Sequence, residues 1–177
     1  PRLMPHLHIS APHGDDLILR RMKRRHLSRD IIRFCNEARR RRPDVAFGAD
    51  IIAGFPTESW SAHRQTMAMI KDAGISYLHV FPYSPRPLTP AADMPQLDGA
   101  MIKQRAGELR ELGKAQLRQH LETVIGTTDR MLVETGNIGQ GRKFAKILLD
   151  QPFVPPSTLV DVKIYRRDQD ILLAHAV

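Results

Sequence analysis

The sequence contains almost no cysteine. Cys35 is the single cysteine in 177 residues, so the chain can form neither an internal disulfide nor a Cys-X-X-Cys metal site. One thiol favours a reducing compartment over a secreted, disulfide-stabilised fold. It also excludes an iron–sulfur or zinc–thiolate site built from this chain alone, because such sites need several thiolate ligands.

Long apolar runs and aromatic residues are also scarce. No window of 18 apolar residues occurs, so we expect no membrane-spanning segment. Phe, Trp and Tyr make up 6% of the chain, which leaves few side chains that could stack on nucleic-acid bases. Hydrophobic residues nevertheless reach 42%, enough at this length for a globular core of one domain or a domain and a half.

The positive charge is concentrated in one segment. The chain carries a formal charge of +8, and residues 20–42 alone hold eleven Arg and Lys against Asp30 and Glu37. This local excess is typical of a patch that faces a polyanion. A charge run by itself more often belongs to a solvated, Arg-rich helix surface, so both interpretations stay open.

The apolar pattern predicts strands and helices in alternation. Strands are expected at residues 7–11, 45–53 and 75–81, and the middle one is apolar enough to be covered on both faces. Asp15 and Asp16 favour the start of a first helix, Ser28 is the expected N-cap of a second, and Gly74 should end a third. This order predicts right-handed βαβ units in a parallel sheet or barrel segment.

The second half of the chain changes character. Residues 82–95 hold five prolines and form an expected long loop, followed by a helix over residues 98–124. Short alternating segments at 131–134, 144–149, 159–165 and 171–174 then predict a small antiparallel β-barrel. We therefore predict two domains, residues 1–125 and 126–177.

Three predicted loops follow the three parallel strands, at residues 10–16, 54–59 and 82–90. Loops at one end of a parallel sheet converge, so they are expected to line one site. Gly54 is expected to allow a close backbone approach there. Glu58 lies near the start of the next helix, where it could cap that helix or contact a ligand, and its spacing favours neither.

Several strings resemble a known enzyme family. G-A-D-I-I-A-G-F-P-T-E (48–58), H-V-F-P-Y-S-P-R-P (79–87), L-I-L-R-R-M-K-R-R-H (17–26) and T-P-A-A-D-M-P (89–95) resemble the bacterial radical S-adenosylmethionine methylthiotransferases, which attach a methylthio group to tRNA. The combination is most similar to the branch acting on threonylcarbamoyladenosine beside the anticodon. The isopentenyladenosine and ribosomal-protein branches fit less well. The resemblance covers residues 6–125, and the tail is more loosely similar to the RNA-binding TRAM barrel.

The resemblance implies a fold, cofactors and a location. It implies the C-terminal half of a radical-SAM partial TIM-type barrel followed by a TRAM-like barrel, in a cytoplasmic protein without a membrane anchor. The family uses S-adenosylmethionine and two 4Fe–4S clusters, whose cysteines are expected upstream of Pro1. The chain is therefore expected to be an inactive fragment with no catalytic residue of its own. Alternatives are a non-catalytic tRNA-binding module, a methylthiotransferase of another branch, or a structural piece whose basic face only keeps it soluble.

The resemblance and the charge pattern together name candidate site residues. The resemblance implies cofactor contacts at Ser10, Ile52, Gly54, Glu58, Val80, Phe81 and Pro82. It also implies substrate contacts at Tyr83, Ser84 and Arg86, and the basic segment adds Arg24 and Arg25. In the barrel, the candidate phosphate contacts are Arg142, Lys143, Lys146, Lys163, Arg166 and Arg167.

The chain departs from the family pattern at a few positions. Pro12 and His13 stand where the family has Gln and Ser, and Thr57 and Leu88 stand where Gly is frequent or usual. His13 beside a glycine turn could contact a phosphate or act as an acid, but without an evident partner in the sequence it is expected to be a polar loop residue. His79 alternates with apolar neighbours on its strand and is expected to be a satisfied core histidine.

Overall fold

The computed structural model describes residues 3–177 and contains two compact units. One unit comprises His8–Pro43 and Phe47–Gln116 and is called the α/β unit below. The other comprises residues 3–7, Asp44–Ala46 and Leu117–Val177 and is called the barrel unit. The domain assignment with a boundary at residue 126 stays a prediction.

Three strands and four helices alternate in the first part of the chain, as predicted. They are β1 (His6–Ile9), α1 (Asp16–Arg21), α2 (Ser28–Arg41), β2 (Ala46–Ala53), α3 (Trp60–Asp72), β3 (Tyr77–Pro82) and α4 (Gly99–Glu122). The sheet order is β1-β2-β3, and β2 pairs with β3 in parallel. Ala46 N–H donates to the Pro5 carbonyl and Ile52 N–H to the Pro12 carbonyl, so β1 runs in the same direction.

The two faces of this sheet differ. Phe47 and Ile51 of β2 are fully buried, and Phe34 of α2 meets the Phe47 ring edge-on at 6.4 Å. On the opposite face Asp50 is exposed and Ile52 is half-buried. Ala46 and Gly48 on that same face are buried. The expectation that β2 is covered on both faces therefore holds for the first half of the strand and is wrong at Asp50.

Local capping residues explain where the helices begin. Asp15 caps α1 and Ser59 caps α3, each through a side-chain oxygen that accepts the N–H three residues later. Ser28 was expected to cap α2, but it is the first residue inside that helix, and its N–H donates to the Asp16 carboxylate at 2.8 Å. Gly74 follows the end of α3, as predicted.

The barrel unit contains five strands: β4 (Thr128–Thr135), β5 (Ile138–Gly141), β6 (Lys146–Leu149), β7 (Leu159–Asp168) and β8 (Ile171–Ala176). They close in the order β4-β5-β6-β8-β7 around a core that includes Met131, Ile147, Val162, Ile164 and Leu172. The barrel prediction is confirmed, but two details are wrong. The β6–β8 pair is parallel, and β5 was missed.

The glycines of β5 explain why the sequence hides this strand. A Cβ on Gly139 would lie 1.9 Å from the Leu132 carbonyl oxygen of β4, so this position has no room for a side chain. Gly therefore removes the apolar alternation that marks a strand in a sequence. In the part of the chain that the structure describes, every helix is too short or too polar to cross a membrane.

Candidate functional site

The structure brings two of the three predicted loops together around one pocket. The pocket lies in the α/β unit, has a volume of about 310 Å³ and takes walls from three segments. These are the basic residues after α1, the end of β2 with the turn that follows it, and the loop after β3. Its lining includes Arg21, Met22, Lys23, Arg24, Ile52, Phe55, Tyr83, Ser84, Arg86, Thr89, Pro90 and Ala91.

The pocket combines an apolar floor with a cationic rim. Phe55 and Tyr83 meet edge to face at 5.4 Å and, with Ile52, pack beside the small core formed by Ile18 and its neighbours. The Tyr83 hydroxyl is buried and has no hydrogen-bond partner among the described residues. Since the lining holds four bases and no acid, it suits a flat ring system carrying phosphate groups.

The basic segment divides into two parts with different roles. Arg21, Lys23 and Arg24 line the pocket, while Arg25 is exposed in the loop before α2. Arg21 also donates to the Thr57 hydroxyl. The first half of the segment thus lines a pocket, and its contact with a polyanion stays a prediction.

On α2 most of the bases contact other groups of the protein itself. Arg40 and Arg41 lie 2.8 and 2.7 Å from the Glu37 carboxylate, and their hydrogen bonds lower the pKa of Glu37 to about 2. Arg39 donates to the carbonyls that end α3 and covers the Phe47 ring at 4.9 Å. This half of the segment is a solvated helix surface with structural contacts.

A buried cluster of charged side chains surrounds Glu58. One of its carboxylate oxygens, Oε1, accepts a hydrogen bond from His13 Nε2 at 3.1 Å. The other, Oε2, accepts the Gly54 N–H at 2.6 Å and lies 3.0 Å from Arg105 Nη1. Arg105 Nη1 also donates to the Glu58 carbonyl, and its guanidinium covers the Trp60 ring at 4.6 Å. The side chains of His13, Glu58 and Arg105 are all 1% exposed or less.

The geometry around His13 fixes its tautomer. Its Nδ1 accepts the Asp15 N–H at 3.0 Å, so the ring proton of the neutral form lies on Nε2 and points to Glu58. The expectation that His13 is a polar loop residue without a partner is therefore wrong. Its hydrogen bond holds the loop after β1 to the turn between β2 and α3.

Opposing effects set the pKa of Glu58. Burial raises this pKa, but the imidazoles of His13 and His63 and the guanidinium of Arg105 outweigh burial and lower it to about 2. His63 Nδ1 lies 3.6 Å from Oε1, beyond hydrogen-bond distance, and its Nε2 bonds Glu108 at 2.7 Å. Glu58 is therefore ionised across the ordinary pH range.

Glu58 does not cap α3, because Ser59 does so. Hydrogen bonds within the protein engage both of its carboxylate oxygens and fix the N–H of Gly54. Sequence reasoning missed Arg105, although a signal was available. Arg105 lies inside the apolar stripe of α4, next to Ala106 and four residues before Leu109, where an ordinary surface base is not expected.

Three loop residues adopt a left-handed backbone conformation. Gly54 has φ +74°, and a Cβ there would lie 2.7 Å from Ile102 of α4, so its close approach is to this helix. Thr57 and Leu88, which stand where the family favours Gly, have φ +68° and +65°. This left-handed region favours glycine, which is compatible with the glycines that the resemblance implies at both positions.

The remaining predicted cofactor contacts lie at the carboxyl end of the sheet. Ser10 follows β1 and is exposed, while Phe81 and Pro82 end β3 and are also exposed. Ile52 and Phe81 are register partners on adjacent strands and therefore share a face. Val80 is half-buried, and adjacent strand positions face opposite sides of a sheet. Ile52 alone of this predicted set lines the pocket described above.

The expectation for His79 is wrong. Its side chain is 55% exposed, and its Nδ1 lies 3.2 Å from Asp50 Oδ1. His8 Nε2 lies 3.1 Å from the same oxygen. The alternation on β3 was interpreted correctly as a strand, but the face that carries His79 is open.

In the barrel unit, the predicted phosphate contacts differ in availability. Arg142 pairs with Asp129 at 2.7 Å, and Arg167 pairs with Glu122 at 2.6 Å. The exposed candidates Lys146 and Arg166 form no ion pair with another described residue. Lys163 is half-buried on β7, and Lys143 joins Arg142 in lining a pocket of about 210 Å³.

The iron–sulfur clusters implied by the resemblance find no ligand set among the residues described. Cys35 is fully buried on α2, and burial raises the pKa of its thiol to about 11 although Arg39 partly opposes the effect. A cluster ligand must be a thiolate, so Cys35 does not fit that role.

The comparisons with known proteins agree with the resemblance. No protein-family model matches the chain. The threonylcarbamoyladenosine tRNA methylthiotransferase of Rickettsia prowazekii is 49% identical over 150 residues, or 85% of this chain and 36% of that protein. The homologues of this chain are tRNA methylthiotransferases.

Two further relatives carry the name tRNA-2-methylthio-N(6)-dimethylallyladenosine synthase. The protein of Paracoccus denitrificans is 32% identical over 93% of this chain and 38% of its own length. That of Ehrlichia chaffeensis is 37% identical over 74% of this chain and 30% of its own length. The chain thus spans well under half the length of the curated relatives it matches.

Proposed function

We propose that this chain is part of a radical-SAM methylthiotransferase that acts on threonylcarbamoyladenosine beside the anticodon of tRNA. The observation that carries the proposal is the pocket in the α/β unit. It joins Ile52, a predicted cofactor contact, to Arg24, Tyr83 and Arg86, which are predicted substrate contacts. These residues come from three separate strings of the resemblance, and one pocket is the arrangement expected if they serve one reaction.

The arrangement of the sheet supports a barrel assignment. Helices α2 and α4 contact one face of the parallel strands, at Phe47 and Leu78, and the other face carries exposed side chains at Asp50, His79 and Phe81. In a parallel α/β barrel, the face away from the helices points to the interior, and active sites lie at the carboxyl ends of the strands. We therefore propose that β1, β2 and β3 belong to a partial TIM-type barrel whose remaining strands lie outside this chain.

Within that barrel, the half-buried Ile52 and the exposed Phe81 present an apolar surface that suits the adenine ring of S-adenosylmethionine. S-adenosylmethionine and the 4Fe–4S clusters supply the radical chemistry when bound, and cysteines outside this chain would hold the clusters. The residues of this chain bind and orient the cofactor and the tRNA. Glu58 fixes the Gly54 turn beside Ile52, and the cations around the pocket hold the phosphates of the tRNA.

The barrel unit is proposed as a TRAM-like RNA-binding module in a cytoplasmic enzyme. Its exposed bases Lys146 and Arg166 are free to meet phosphate, whereas Arg142 and Arg167 must first give up carboxylate partners. We therefore expect Lys146 and Arg166 to contribute more to tRNA binding than the two paired arginines.

The test of this function is an assay of the complete gene product that contains this chain. The reconstituted protein is given reductant, S-adenosylmethionine and tRNA, and the tRNA nucleosides are then analysed by mass spectrometry. We expect a methylthio group on threonylcarbamoyladenosine and none on dimethylallyladenosine. Methylthiolation of dimethylallyladenosine would move the protein to the branch of the Paracoccus relative. Binding of tRNA without any methylthiolation would favour a non-catalytic RNA-binding module.

A further inference from the structure

A row of three potential metal ligands crosses the open face of the sheet. His8 on β1, Asp50 on β2 and His79 on β3 lie on adjacent strands, and Asp50 and His79 are direct register partners. The ligand atoms of the three side chains all lie within 4.8 Å of one another. The row belongs neither to the pocket lined by Arg24 and Tyr83 nor to the buried cluster around Glu58.

The distances match a coordination sphere. Asp50 Oδ1 lies 3.1 Å from His8 Nε2 and 3.2 Å from His79 Nδ1. Ligand atoms bound to a tetrahedral Zn²⁺ at about 2.0–2.1 Å lie about 3.3 Å from one another. Both distances from Asp50 Oδ1 therefore match this spacing, and the two imidazole nitrogens lie within 4.8 Å of each other, so modest side-chain rotation would bring all three atoms around one ion.

The donor set also selects a class of ion. Two imidazoles and one carboxylate suit borderline first-row transition metals such as Zn²⁺ and Co²⁺, whereas Mg²⁺ and Ca²⁺ prefer sites made of oxygen atoms. In this chain the three side chains are 40–55% exposed, so water can complete the coordination.

The strands make the site rigid. Each ligand lies within a paired β-strand, so hydrogen bonds between the strands fix the backbone positions of the ligands even when no ion is bound. The sulfur-free donor set also separates this site from the iron–sulfur centres implied by the resemblance, since those need thiolates. We propose that His8, Asp50 and His79 form a binding site for one divalent transition-metal ion.

Metal titration of this chain tests the proposal. The chain is stripped with chelator, and Zn²⁺ binding is followed by calorimetry while Co²⁺ binding is followed by its visible absorption. We expect one ion per chain with a Kd of about 10 μM or tighter. His8→Gln, Asp50→Asn and His79→Gln should each weaken binding about 100-fold, because each removes one of three ligands.

A matched control is available in the barrel unit. His175 is exposed and stacks on Tyr165, so His175→Gln removes an accessible imidazole without touching the row. This variant should bind Zn²⁺ as the wild type does. The proposal is overturned if the wild type shows no 1:1 binding at about 1 mM metal, if Asp50→Asn binds equally well, or if His175→Gln abolishes binding. Circular dichroism of each variant excludes unfolding as the cause of a loss.

Discussion

Two clusters in the α/β unit combine histidine with carboxylate and differ in burial. The cluster of His13, Glu58 and Arg105 has side chains no more than 1% exposed. The row of His8, Asp50 and His79 uses the same imidazole and carboxylate groups at similar distances, but about half of each side chain is exposed.

Burial decides what each cluster can do. In the buried cluster every charge must be compensated by a neighbouring group. The Glu58 carboxylate oxygens therefore accept hydrogen bonds from His13 and Gly54 and pair with Arg105, and these contacts stabilise the fold. In the open row water compensates the charge, and Asp50 can exchange its neighbours at little cost. The buried cluster therefore positions the loops, while the exposed row is free to take a ligand.

The largest expected difference in stability is between carboxylate-to-amide substitutions at Glu58 and at Asp50. Glu58→Gln leaves the buried Arg105 without its counter-charge and should lower the free energy of unfolding by about 3–5 kcal/mol. Asp50→Asn makes the same chemical change at an exposed site and should lower it by less than about 0.5 kcal/mol. Urea denaturation of both variants measures the difference. Equal losses would refute the contrast between the two clusters.

Acid should remove most of the contribution of Glu58. Its pKa falls from an ordinary value near 4.5 to about 2 in the folded protein, so its stabilisation is complete above about pH 4.5 and is lost as the pH falls toward 2. The shift corresponds to about 3 kcal/mol. The difference in unfolding free energy between wild type and Glu58→Gln should therefore shrink by about this amount between pH 5 and pH 2. A difference independent of pH would contradict the depressed pKa.

A smaller effect is expected from a change that keeps the charge. Arg105→Lys retains the counter-charge of Glu58 but cannot place donors on both the carboxylate and the Glu58 carbonyl while covering Trp60. It should lower the free energy of unfolding by about 1–3 kcal/mol. A loss as large as that of Glu58→Gln would show that donor geometry, rather than charge compensation, dominates the cluster.

Much of the fold is predictable because its signals are local. Capping by Asp15, the end of α3 at Gly74 and the alternation of strands and helices depend on a few neighbouring residues. The parallel pairing of β6 with β8 has no such signal, because it depends on the path of the whole chain around the barrel. Strand β5 was hidden because close contact with β4 leaves no room for a side chain at Gly139.

The site was harder to predict because its contacts join residues that are far apart in the chain. His13 was expected to be a polar loop residue and His79 a core residue, and the structure reverses both expectations. The partner of His13 lies 45 residues away in the chain, and the exposure of His79 depends on which face of the sheet the helices cover. The meeting of Phe55 with Tyr83 and Arg86 in one pocket agrees with the prediction that loops 54–59 and 82–90 converge at one end of a parallel sheet, whereas loop 10–16 contributes no residue to this lining.

The salt dependence of tRNA binding tests the proposal that the cationic rim of the pocket holds tRNA. The double variant Arg24→Gln with Arg86→Gln is compared with Arg33→Gln with Arg40→Gln, which removes the same charge from the exposed surface of α2. The pocket variant should bind about 10- to 100-fold more weakly and lower the slope of log K against log salt by about 1–2. The α2 variant should match the wild type. Equal losses in the two variants, or no binding by the wild type below about 100 μM, would contradict the claim.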